Sequence, residues 1–184
     1  MKRLAILAVA AALAAGFLLL RHARAETETR LGGIAGEVAK RDVTVRCQGR
    51  IGAALDVGAE AGSVRFDAEG RPGDSTDLDR SVCESLERFR EDGEADFAAV
   101  QAIHTVAHES WHLAGIQDEA QTECYGLQTT AFVAGRLGAD PVVAQGIAAD
   151  ALRRLYPALP QRYRTSDCRD GGPLDLRPAS AIWP

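Results

Sequence analysis

Residues 95–126 read ADFAAVQAIHTVAHESWHLAGIQDEAQTECYG, and the fold is decided by the spacing inside them. Phe97, Val100, Ile103, Val106, Ala107 and Trp111 recur close to i, i+3, i+4, which predicts an amphipathic helix from about Ala95 to Leu113. Gly115 ends it, because the left-handed residue that closes a helix is usually glycine. Asp118, followed three residues later by Gln121, reads as an N-cap with a capping box and opens a second helix to about Leu137. So short a connection makes an antiparallel hairpin. With its turn centred near residue 116, His112 stands opposite about residue 120 and His108 opposite about residue 124.

Outward from the hairpin, Asp77 can cap a helix to about Arg90 that carries Leu78, Val82, Leu86 and Phe89 at helical spacing, and Gly93 interrupts it. Pro141, directly after Asp140, opens a last helix to about Tyr156, which Pro157 and Pro160 end. Val43–Cys47 and Gly62–Asp67 alternate apolar and polar residues on either side of a Gly-rich interval, as two strands that can pair. Arg71-Pro-Gly-Asp-Ser-Thr is turn chemistry. The tail from Gln161 to Pro184 has no periodicity and reads as an extended segment pinned by Cys168. The expectation is a mainly helical α+β domain with a short antiparallel sheet. At 184 residues there is room for a single core, placed at residues 42–184, with residues 26–41 as a short helix or tether.

Lys2 and Arg3 precede seventeen uncharged, mostly apolar residues, Leu4 to Leu20, followed by Ala23-Arg24-Ala25, which fits signal-peptidase cleavage before Glu26. Seventeen residues are long for a signal core and at the lower limit of a membrane span, so residues 1–25 are expected to be a signal peptide or an N-terminal anchor. Either way the domain is extracytoplasmic, secreted or anchored, and touches a membrane only through residues 4–20. Residues 1–25 hold four of the 21 basic residues and no acidic one, so without them the net charge falls from −5 to −9. That balance excludes a nucleic-acid or anionic-bilayer surface. Cys47, Cys83, Cys124 and Cys168 are an even set in an oxidising compartment, hence two disulfides in one of three pairings. No two of them have a CxxC spacing, which argues against cysteine-ligated zinc.

His108 and His112 are four residues apart on the predicted helix, so both imidazoles leave one face and can reach one ion at about 2.0–2.1 Å. Glu109, beside them, can reach a water at the open metal position and act as general base. The pattern arises by chance less than about one time in a hundred in a chain of this length. His104 extends the series, but about 12 Å of helical rise separates it from His112. It is therefore expected as a packed or capping residue. Trp111 and Tyr125 are expected to fill core against the sheet. Tyr163, between Arg162 and Arg164, is a candidate oxyanion donor, with a packing role as the plainer reading.

Over roughly residues 104–126 the chain resembles the zincin metallopeptidases, which share an HExxH helix packed on a small sheet. The resemblance implies zinc held by His108 and His112, Glu109 as catalytic base, and hydrolysis of a peptide or protein substrate. Three carboxylates compete for the third ligand. Asp118 matches the metzincin spacing, but the only methionine is Met1, so the Met-turn of that branch is absent, and Asp118 is well placed as a cap. The gluzincin branch takes a Glu from a later helix, and Asp118-Glu119-Ala-Gln-Thr122-Glu123 offers Glu119 as ligand with Glu123, one turn on, orienting His108. Glu119 is the first choice and Glu123 the next. A different class stays open, a catalytically silent metal-binding or interaction domain, since little chain is left to build a substrate cleft.

Overall fold

The computed structural model describes residues 2–48 and 61–184, with the side chains of residues 2–15 and 17–20 outside the description. The Gly-rich interval at 49–60, and the side chains of the apolar stretch Leu4 to Leu20 apart from Gly16, therefore lie outside the described residues. Helix α1 (Lys2–Ala39) leads into strands β1 (Thr44–Cys47), β2 (Gly62–Phe66) and β3 (Pro72–Leu78). Helices α2 (Arg80–Asp92), α3 (Phe97–Leu113), α4 (Glu119–Arg136) and α5 (Pro141–Asp150) follow, and α5 runs on into short irregular turns ending at Gln161–Tyr163. The fold is mainly helical α+β. Among the described residues no helix is long and apolar enough to cross a membrane.

The sheet departs from the expected antiparallel pair. Its order is β1-β3-β2, so the two expected strands flank a third instead of each other. Val45 lies opposite Thr76 in a parallel ladder, and Val64 lies opposite Thr76 in an antiparallel one, which makes the sheet mixed. The central strand is the stretch whose composition reads as a turn. Its proline stands at the first strand residue, where a missing N–H is tolerated, and beyond it Thr76 and Leu78 are buried. The turn itself comes earlier, where Asp67 Oδ1 accepts from the N–H groups of Glu69 (3.0 Å) and Arg71 (2.8 Å). Because Asp77 belongs to β3, the cap of α2 is Asp79, which accepts from Ser81 N–H at 2.7 Å.

Residues 26–41 are part of the packed domain and not a tether. Residues 26–39 continue α1, and Leu31, Ile34, Ala35 and Val38 are buried at i, i+3, i+4, i+7 against α3 and β1. Thr27 donates to Glu87 at 3.0 Å, and Glu28 accepts from Cys47 N–H at 2.8 Å, which ties the helix to α2 and β1. A Cβ on Gly36 would stand 2.9 Å from Arg41 O, so the chain turns back onto the helix only because that position is bare. Helix α3 forms the centre of the domain, packed by α1, α2, α4 and the sheet, with Ile103, Ala107 and Leu113 fully enclosed. Trp111 packs on Tyr125 of α4, with ring centroids 4.9 Å apart, and donates to Thr129 at 3.0 Å. These two aromatics cement the hairpin, not the sheet. Two disulfides, Cys47–Cys83 and Cys124–Cys168, fasten β1 to α2 and the tail to α4. They fit an oxidising compartment outside the cytoplasm.

Candidate metal centre

Asp96 caps α3 through Ala99 N–H, and the helix carries His104, His108 and His112 one turn apart on the face that meets α4. Opposite them, Asp118 caps α4 by accepting from Gln121 N–H at 2.8 Å. Gln121 does not complete the capping box; its side chain donates to Tyr125 Oη at 3.1 Å. Asp118 is thus engaged at the helix start, and Glu119 and Glu123 are the carboxylates that face the histidines. The close approach depends on Gly126, where a Cβ would stand 3.2 Å from His108 Cα. Any larger residue would push α4 off α3 beside the site.

Glu119 Oε2 lies 3.3 Å from Nε2 of His108 and 3.3 Å from Nε2 of His112, and those two nitrogens are 3.0 Å apart. The remaining ring nitrogens are engaged. His112 Nδ1 is 2.7 Å from Ile116 O, a carbonyl that can only accept, so Nδ1 carries the proton and Nε2 the lone pair. His108 Nδ1 donates to Glu123 Oε2 at 2.9 Å, which turns its own Nε2 lone pair toward the same point. Glu119 Oε2 is buried and makes no hydrogen bond. Two imidazole nitrogens and a carboxylate oxygen therefore converge within 3.3 Å, an arrangement that needs a proton or a metal cation between them.

The electrostatics of the metal-free site favour the proton. Burial opposes a charge on His108, but the carboxylates of Glu119 and Glu123 at its two nitrogens, with Glu109 close by, outweigh it and push its pKa up to about 10. The two imidazoles facing Glu119 hold its carboxyl down to about 2. The donor set, two imidazoles and a carboxylate, suits a borderline divalent ion. His104, His108 and Glu123 form a second, fully buried group, and either group brings three ligand atoms within 4.8 Å, so the described residues include His/Glu groups able to hold a metal ion.

His104 is not the isolated packing residue that its distance from His112 suggests. Its Nε2 is 2.8 Å from Glu123 Oε1 and its Nδ1 3.0 Å from Thr130 Oγ1. The signal was available in the sequence: a His pair at i, i+4 on one helix meets a Glu pair at i, i+4 on its antiparallel neighbour.

Glu109 is buried at 5 % exposure on the sheet side of α3, and its Oε2 is 3.4 Å from the Thr76 hydroxyl, which also lies 3.0 Å from Ser63 O. Burial raises its pKa, partly offset by His108 and His112. Above these groups lies a cleft of about 540 Å³, with Gly62, Val64 and Phe66 of β2 on one wall and Leu159, Pro160 and Tyr163 on the other. Among the described residues β2 is an edge strand, and its residues Gly62 to Val64 and Phe66 line the cleft. The Tyr163 ring is 6.0 Å from that of His108. The tail that carries it is held by Cys124–Cys168 and by Gln128, whose amide donates to Leu174 O (2.9 Å) and accepts from Leu176 N–H (2.7 Å).

No family model, curated protein or solved structure matches this chain.

Proposed function

We propose that the domain is an extracytoplasmic zinc-dependent hydrolase that cleaves peptide bonds, with His108, His112 and Glu119 as metal ligands and Glu109 as general base. The observation that carries the reading is the convergence of two imidazole Nε2 atoms and a carboxylate oxygen at 3.0–3.3 Å next to a buried carboxylate at the foot of a cleft. Two donors about 2.1 Å from one tetrahedral ion stand about 3.4 Å apart, close to these separations. The contacts around Glu123 are shorter, 2.8 and 2.9 Å, and fall on two different oxygens, as hydrogen bonds do. That comparison favours Glu119 as ligand and Glu123 as the group that orients His108.

Zinc at this point would polarise a carbonyl and acidify a bound water. Glu109 takes a proton from water at the cleft face and returns it to the departing amine; a carboxyl whose pKa is raised by burial suits both halves of that task. Tyr163, whose hydroxyl accepts from Arg162 at 3.3 Å and whose ring lies 6.0 Å from that of His108, is the candidate to donate its O–H to a developing oxyanion. A peptide substrate is favoured because β2 lines the cleft with an edge that can pair with an extended chain. Leu4 to Leu20 then serve to export or anchor the domain, and cleavage before Glu26 leaves the docked part of α1 in place.

Metal analysis of the purified chain tests the reading. About one zinc per chain is expected, lost in His112→Ala, and a fully folded native protein without metal would overturn it. Glu109→Gln should keep the zinc and lose about 10²- to 10⁴-fold in chelator-sensitive peptidase activity. A protein with no peptidase activity for that variant to lose would be a silent metal-binding domain.

A further inference from the structure

The chain of hydrogen bonds behind His108 does not stop at Glu123. Thr130 Oγ1 lies 2.8 Å from Gly126 O and 3.0 Å from His104 Nδ1, so its hydroxyl bridges the helix carbonyl and the ring. The other ring nitrogen, Nε2, donates to Glu123 Oε1 at 2.8 Å. Glu123, at 3 % exposure, is thus clamped through both oxygens, one on each histidine, and His104, at 6 % exposure, is clamped between two helix positions. We propose that His104, backed by Thr130, is a positioning residue for the metal centre: it locks the Glu123 carboxylate, and through it the rotamer and tautomer of His108, across two turns of α4. The inference rests on His108 being a ligand and goes beyond it, because His104 itself cannot reach the ion that His108, His112 and Glu119 share.

The physical reason is that a buried carboxylate with one oxygen unpaired does not stay where it is. Deprived of His104, Glu123 turns to recover a partner, and the His108 ring loses the acceptor that keeps its Nε2 lone pair on the site. An amide at position 104 reaches as far as Nε2 of the imidazole and keeps the donor; a phenyl ring keeps the volume alone.

The test uses the full chain, with Zn²⁺ affinity measured by chelator competition well below the melting temperature and Co²⁺ absorption as a report on ligand geometry. His104→Phe is expected to weaken Zn²⁺ binding about 10- to 100-fold and to alter the Co²⁺ spectrum. His104→Gln is expected to recover most of both. Thr130→Val should weaken binding less, by several-fold, with Thr130→Ser close to wild type. If His104→Phe does not fold, the Thr130 pair decides alone. Variants that melt lower yet bind Zn²⁺ and shape the Co²⁺ spectrum as the wild type does would overturn the inference and leave His104 a packing residue. A wild type that binds neither ion would instead overturn the metal reading itself.

Discussion

Gly62 on the edge strand and Glu109 on the central helix touch across the floor of the cleft: a Cβ on Gly62 would stand 2.6 Å from Glu109 Cγ and 2.8 Å from its Oε1. The glycine is what gives the carboxylate its room. Sheet and helix are both fixed by the core around them, so the side chain must move if a methyl group is added. Gly62→Ala is therefore expected to swing Glu109 off Thr76 and cut turnover at least tenfold. Zinc content should stay at the wild-type level. A methyl group tolerated without loss of rate would mean that Glu109 works from another position.

Metal binding should release protons. His108 is held at about 10 by the carboxylates around it, so in the metal-free chain it is protonated at neutral pH, and an ion must displace that proton. Apparent affinity is then weakest at low pH and rises about tenfold per pH unit between pH 6 and 8 for each proton displaced. Calorimetric titration with Zn²⁺ in buffers of different ionisation enthalpy reads the number directly. About one proton per ion is expected near pH 7, and Glu119→Gln should weaken binding by more than the 10- to 100-fold that loss of a supporting group costs. No buffer dependence at pH 7 would exclude a protonated His108.

The cap of α2 yields a pH dependence away from the site. Hydrogen bonds from the Ser81 hydroxyl and N–H hold the Asp79 carboxyl below its usual range. A depressed pKa stabilises the fold above the unfolded value of 3.8, and the contribution disappears as pH falls through the lower folded value. Asp79→Ala should cost about 1 kcal/mol in urea unfolding at pH 6, the usual worth of an N-cap, and close to nothing once both states are protonated. An equal cost at pH 6 and at pH 2 would mean that the carboxylate is not what caps the helix.

The hairpin is legible because its signals are local. A cap at Asp118, a stop at Gly115 and apolar spacing along α3 all act within one or two turns of the residues that show them. What was not legible depends on partners distant in the chain. Pro72 to Leu78 has the composition of a turn and becomes the central strand because β1 and β2 satisfy its backbone from both sides, a context that local propensity does not contain. Helix α1 was obscured for the opposite reason. Gly32, Gly33 and Gly36 lower helix propensity, and they hid the i, i+3, i+4, i+7 spacing of Leu31, Ile34, Ala35 and Val38. The distance from His104 to His112 along the helix excludes a shared ion but is blind to a carboxylate on the facing helix that joins the turns between them.

The tail supplies the last prediction, since one disulfide decides where Tyr163 stands. Cys124 lies on α4 one residue past Glu123, and its bond to Cys168 ties the tail to that helix five residues beyond Tyr163, with Gln128 fastening the same segment one turn further on. The bond closes a loop with a sequence separation of 44, so Cys168→Ser should cost about 2–5 kcal/mol of stability. The proposed ligands sit on α3 and α4, which pack against each other independently of the tail, so zinc affinity should change little at temperatures where the variant is folded. Turnover should fall, and by about as much as in Tyr163→Phe, because a tyrosine that has left the wall and a tyrosine without its hydroxyl remove the same donor. Combining the two changes should then lose no more rate than the worse of them alone. If instead Tyr163→Phe is silent while Cys168→Ser is slow, the tail shapes the cleft by packing and the oxyanion donor lies elsewhere.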